Sequence, residues 1–186
     1  SESRDIDPHH KWWGGDLEGV HDNPIRLGNM AWDKRIVYSP HVYGPDVFLQ
    51  DFFQHDRFPQ NLPKIWKDQW AFTEYSTKRA VVVGEWGGFN NGGTIDRVWH
   101  ENFAKFLVQN CLEDTFYWCL NPNSGDTGGL LDYDYKTINK DKLRLLQYVQ
   151  PNPSKVYMQD NLICLNSGAY SNRNCKTHQP SSNLKP

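Results

Sequence analysis

No stretch of this chain is long and apolar enough to cross a membrane as a helix, and its first residues, Ser1-Glu2-Ser3-Arg4-Asp5, lack the apolar core of a signal peptide. Charge of neither sign dominates. With 20 Lys and Arg against 22 Asp and Glu, the formal net charge of -2 gives no electrostatic footing for nucleic acid or an anionic membrane. The four cysteines show no C-x-x-C or similar metal-ligand spacing, so zinc is not expected, and no other cofactor is called for. Cys111 and Cys119 fall in apolar surroundings and read either as buried thiols or as a pair linking a helix end to the next strand. Cys164 and Cys175 lie in a polar tail, where a disulfide would close a short loop and favour an oxidising, secreted setting. No N-x-S/T acceptor sequence occurs to add to that inference.

What is abundant is aromatic surface. Aromatic residues make up 14% of the 186 positions, eight of them Trp, within a chain whose 38% hydrophobic content is enough to bury the core of one domain. Indole faces fill cores, and they also stack on the C–H faces of sugar rings.

The central stretch is Arg79-Ala80-Val81-Val82-Val83-Gly84-Glu85-Trp86-Gly87-Gly88. Its apolar run has no helical period and reads as a parallel strand buried on both faces, stopping at one carboxylate flanked by glycines. An earlier strand is Arg35-Ile36-Val37-Tyr38-Ser39, whose pairing the following Pro40-His41-Val42-Tyr43-Gly44-Pro45 is expected to end. A third is Thr115-Phe116-Tyr117-Trp118-Cys119-Leu120. Between them the spacing predicts helices over Lys64 to Tyr75, capped by Asn61, and after Thr94, with the stripe Trp99, Phe103, Phe106, Leu107 and Cys111. A last helix is predicted over Lys140 to Tyr148. From Asn152 the chain turns polar and irregular, so the domain is drawn at 1–155 and a tail at 156–186.

Alternating strands and helices imply parallel pairing through right-handed crossovers, and chemistry at the strands' C-terminal ends. All three strands finish in polar and aromatic residues beside glycine or proline: His41 and Tyr43, Glu85 and Trp86, Trp118 and Asn121. That repetition points to one shared face.

Four segments, Trp12-Trp13-Gly14-Gly15-Asp16-Leu17-Glu18-Gly19-Val20, Val37-Tyr38-Ser39-Pro40-His41-Val42-Tyr43-Gly44, Val83-Gly84-Glu85-Trp86-Gly87-Gly88 and Tyr117-Trp118-Cys119-Leu120-Asn121-Pro122-Asn123-Ser124-Gly125-Asp126-Thr127-Gly128-Gly129, resemble in order and spacing glycoside hydrolase family 5, the cellulase family. The resemblance implies a partial (β/α)8 TIM barrel, an α/β fold made here of its strands 6 to 8 with their helices. It also implies a secreted retaining hydrolase acting on a β-linked polysaccharide or oligosaccharide, a β-1,4-glucan in first place. On this basis Glu85 is the expected nucleophile, His41 and Tyr43 stand in the family's His-x-Tyr motif, Trp118 is the platform under the sugar, Trp13 a second wall, and Gln50 a partner for a neighbouring sugar. Retaining hydrolysis needs a second carboxyl group about 5 to 5.5 Å away. In the family this is the Glu of an Asn-Glu-Pro motif, which does not occur here. Asp16, Glu18 and Asp46 match no strand-end acid position, and Asp126 is expected to shape its glycine-rich loop. The expectation is therefore a C-terminal part whose partner is the missing N-terminal half of the barrel, with exposed strand edges and an apolar inner face. Rival readings are the same chemistry on mannan or another β-glucan, a non-catalytic carbohydrate-binding fragment, and an inactive pseudoenzyme.

Overall fold

The computed structural model describes residues 14–151, 155–159 and 162–166. Its centre is a parallel sheet. Strand β1 (Val37–Tyr38) and its continuation β2 (His41–Tyr43) run beside β3 (Ala80–Val81) and β4 (Val83–Gly87), and β5 (Thr115–Tyr117) lies on the far side of β4. The expectation that Pro40 ends the pairing is corrected. Proline lacks an N–H but keeps its carbonyl, which accepts from Gly84 N at 2.9 Å, and the ladder resumes with His41 opposite Glu85.

Helices cover one face. After the short helix Met30–Asp33 (α1), Leu62–Trp66 (α2) passes through a π-helical turn, Lys67–Ala71, into Phe72–Thr77 (α3), fulfilling the predicted helix with an irregular middle. Pro63 sits in the first turn, but Asn61 makes no cap: its Nδ2 donates to Phe52 O at 2.8 Å and ties the helix to the preceding loop. Ile95–Gln109 (α4) begins under Thr94, whose hydroxyl accepts from Arg97 N, and Lys140–Val149 (α5) begins under Asn139, which accepts from Asp141 N and Lys142 N.

Between helices and sheet lies an aromatic core. Phe103 is its hub, stacked on Trp99 at 5.0 Å and meeting Trp66 at 5.0 Å, Trp86 at 5.5 Å and Trp70 at 6.2 Å edge to face. From the sheet, Tyr38, Val42, Val81, Val83 and Trp86 point into it. The other face of the sheet is open: Val37 and Phe116 are exposed large apolar residues, and Ala80 is exposed as well. The central strand is thus buried on one face, not both, because among the described residues no second layer covers the side that carries Ala80, Val37 and Phe116. The parallel α/β sheet does not close into a barrel.

Two further corrections concern the C-terminal region and the cysteines. Lys155–Gln159 (β6) and Leu162–Asn166 (β7) form an antiparallel hairpin where an irregular tail was expected. Cys111 is disulfide-bonded and Cys119 is a buried free thiol, so the two do not pair with each other. The expected Cys164–Cys175 link falls outside what the described residues show.

Candidate active site

The tips of β2 and β4 bring one carboxylate and two hydrogen-bonding side chains together. Tyr43 Oη donates to Glu85 Oε2 at 2.7 Å, and His41 Nδ1 lies 3.4 Å from the same oxygen. A feature of the pairing aims Glu85 at them. On β4 three steps separate Val83 from Trp86, whereas their partners on β5, Thr115 and Tyr117, are two steps apart. This β-bulge lets Val83 and Trp86 both face the helices, and leaves Gly84 and Glu85 together on the side of His41. Gly84 is required there, since a Cβ would lie 2.3 Å from Ser39 Oγ and 3.1 Å from the His41 ring.

Burial holds the Tyr43 phenol far above its ordinary pKa, aided by its bond to Glu85, by that carboxylate's charge, and by Asp126. Tyr43 therefore remains a proton donor to Glu85 across the whole neutral range. A narrow cleft beside the pair is lined by His41, Tyr43, Gln50, Asp16 and Gln69, which puts Gln50 next to the cluster.

Trp118 stands at the tip of β5, its backbone N donating to Trp86 O at 2.8 Å and its side chain 45% exposed. The strand ends at Tyr117, short of the expected Leu120, and the Trp118–Cys119 peptide is cis. Gly87 allows the approach: a Cβ there would lie 1.9 Å from Trp118 O. The ring's Nε1 reaches Ser124 Oγ at 3.4 Å, and that hydroxyl donates to Asp126 Oδ1 at 2.7 Å, so Asp126 does shape the glycine-rich loop as expected. Trp13 lies outside the described residues.

A family model for Cellulase (glycosyl hydrolase family 5) matches residues 6–124, nearly two thirds of the chain. This chain belongs to glycoside hydrolase family 5. Endoglucanase G of Acetivibrio thermocellus is 45% identical over 137 residues, covering 73% of this chain and 24% of that protein. An endoglucanase of Paenibacillus polymyxa is 43% identical over 136 residues, 73% of this chain and 33% of its own length. Among solved structures, the hyperthermophilic endocellulase of Pyrococcus horikoshii superposes with a TM-score of 0.69 at 40% identity, covering 75% of this chain and 37% of that one. The catalytic domain of the major endoglucanase of Xanthomonas campestris pv. campestris gives 0.68 at 36% identity, covering 75% of this chain and 39% of that one. The chain therefore has the strand and helix order of part of a family 5 barrel, and spans between a quarter and a third of the curated relatives' length.

Behind the tips the family 5 fold carries two buried polar groups that sequence reasoning passed over. Asp96 and His100, one turn apart on the buried side of α4, pair at 3.2 Å, and Asp96 Oδ2 also accepts from Asn90 N at 3.0 Å. Burial pushes the Asp96 carboxyl up, but the His100 bond and charge and the N–H groups of Asn90 and Asp46 outweigh it and hold the carboxyl below the usual range. The pair braces the loops after β2 and β4, touching the space a side chain at Gly44 or Gly88 would need. Lys142, buried on α5, donates to the carbonyls of Thr127 at 2.8 Å and Gly129 at 3.0 Å, fastening the loop that follows Trp118. A signal was available for the first: two titratable residues at i and i+4 interrupt an apolar helix stripe.

Proposed function

We propose that this chain is part of a secreted retaining glycosidase that cleaves β-1,4-linked glucan, with Glu85 as its nucleophile. The observation that carries the reading is the Glu85 carboxylate at a strand tip, held by the Tyr43 hydroxyl at 2.7 Å with His41 alongside. A nucleophile of this kind must be ionised and fixed beneath the anomeric carbon, and a phenol that does not itself ionise serves as a steady donor to it. Attack by a Glu85 oxygen on that carbon breaks the glycosidic bond and forms a glycosyl ester. The departing oxygen takes a proton from a second carboxyl group, which later draws a proton from the water that releases the sugar. We assign that second group to no residue of this chain, and place it in the portion of the relatives' length that the chain does not span.

His41 serves to bond a sugar hydroxyl or the acid partner, Trp118 is the platform beneath the sugar at the cleavage point, Trp13 is a second wall of the cleft, and Gln50 bonds a neighbouring sugar. The glucan substrate is supported by the relatives named endoglucanases and by a solved complex of the Pyrococcus horikoshii endocellulase with cellotetraose, at 40% identity and a TM-score of 0.69. Secretion is supported by the Xanthomonas relative described as the major extracellular endoglucanase and by the disulfide at Cys111.

The test uses a substrate that needs no acid. A dinitrophenyl 2-fluoro-cellobioside loses dinitrophenolate unprotonated, and its fluorine slows release of the ester, so the 186-residue chain alone should become labelled. Mass spectrometry is expected to find one fluoro-cellobiosyl group on the peptide bearing Glu85, and none in Glu85→Gln. Absence of label, or label that survives the substitution, overturns the assignment.

A further inference from the structure

We propose that Tyr133 and Tyr135 form a second aromatic contact for the glucan chain, displaced from Trp118 along the loop that follows β5. This rests on the glucan reading above and extends it outward from the cleavage point.

The loop from Leu131 to Ile138 is a small hairpin closed by the Leu131–Ile138 bridge and by Asp132 N donating to Thr137 O at 2.8 Å. It is joined to the Trp118 segment by backbone bonds from Leu130 N to Cys119 O at 2.8 Å and from Leu131 N to Leu120 O at 2.9 Å. The two exposed tyrosines thus sit on a segment hydrogen-bonded to the one that carries Trp118. At its tip the two phenol rings are 78% and 56% exposed, so neither contributes much to the core.

The tip is rigid. Asp134 Oδ1 accepts from Lys136 N at 2.9 Å and Thr137 N at 2.8 Å, while its other oxygen accepts from the Thr137 hydroxyl. These bonds hold the turn and lower the carboxyl's pKa.

Tyr135 is also held in the left-handed region, at φ 56°, following a turn closed by its own N–H to Asp132 O at 2.8 Å. Hairpin loops normally place glycine or asparagine at such a position, and a bulky residue there raises the energy of the fold. A strained side chain that is more than half exposed fits a residue retained for what it contacts in solution. Two rigid rings bearing hydroxyls give apolar area and hydrogen bonds with little rotamer entropy to lose. They offer far less area than the roughly 800 Å² per partner of a stable protein interface, but enough for a linear sugar chain already seated on Trp118.

The test is calorimetric binding of cellobiose through cellohexaose to the 186-residue chain. Affinity is expected to rise with oligosaccharide length. Tyr133→Ala and Tyr135→Gly should each remove about three- to tenfold of the affinity for cellohexaose and leave cellobiose unchanged. Tyr135→Gly should at the same time raise the melting temperature by about 2–4 °C by relieving the left-handed backbone. Tyr135→Phe, which keeps the ring, should stay within about twofold of the wild type. Unchanged length dependence in both variants, or equal loss for cellobiose and cellohexaose, overturns the inference while Glu85 labelling stands on its own. Failure of the wild-type chain to bind any cello-oligosaccharide overturns this contact and the glucan reading together.

Discussion

The two faces of the parallel sheet are made of alternate residues of the same strands, yet one is dry and the other open. Toward the helices, Val42, Val81, Val83 and Trp86 meet Trp66, Trp99 and Phe103 with almost no exposure, so stability is concentrated there. On the other side lie Val37, Ala80 and Phe116, then His41, Glu85 and Trp118 toward the strand tips, partly or largely exposed. The difference teaches how the fold divides its tasks. Packing against α2 and α4 fixes the strands, and fixed strands can hold reactive side chains on the face turned away from the helices.

The strongest way to break this contrast is at the core hub. Phe103→Ala should destabilise the chain by about 3–5 kcal/mol in denaturant unfolding, because four aromatic neighbours lose their common partner. A loss below about 1 kcal/mol would mean that the helices do not carry the sheet.

The polar pair within the dry layer sharpens the picture. Asp96→Asn should cost about 3 kcal/mol near neutral pH by leaving the buried His100 without its carboxylate. Because the Asp96 carboxyl is held below its ordinary range, its contribution is present above the unfolded carboxyl pKa and is lost as pH falls through the folded value. Acid titration of stability should therefore show a steeper decline in the wild type than in Asp96→Asn. Parallel curves would remove the pair from the account.

Gly87→Ala tests the seam between the faces. The added carbon would sit 1.9 Å from Trp118 O, so the expected loss is about 1–3 kcal/mol, with a shift of Trp118 seen as weaker cello-oligosaccharide binding. The smallest effect belongs to the open side: Phe116→Ala, at a ring 67% exposed, should change stability by no more than about 0.5 kcal/mol. A large loss there would show that the inner face is packed after all.

Much of this layout was legible in the chain. The apolar period of 3.6 in Trp99, Phe103 and Phe106 and the cap at Thr94 announce a helix that the structure contains. The polar pair Asp160-Asn161 between Lys155-Val156-Tyr157-Met158-Gln159 and Leu162-Ile163-Cys164-Leu165-Asn166 is a hairpin signal that the reading of an irregular tail missed. The ladder through Pro40 was not legible, since a proline's carbonyl can still accept when a neighbouring strand offers an N–H in register. Nor was the bonding of Asn61 to Phe52 O, a contact between segments nine residues apart that competes with the cap.

By itself the sequence determined where carboxylate, histidine, tyrosine and tryptophan would stand along their strands, because local propensity and the two-residue period of a strand are written in neighbouring residues. Which of them touch was decided only by tertiary structure. The extra residue between Val83 and Trp86 exists only relative to β5, and the meeting of Tyr43 with Glu85 only relative to the β2–β4 register. Both are properties of pairing between segments about 30 to 40 residues apart, settled by the burial of Trp86 and Val83 against the helices and by no local preference of the chain.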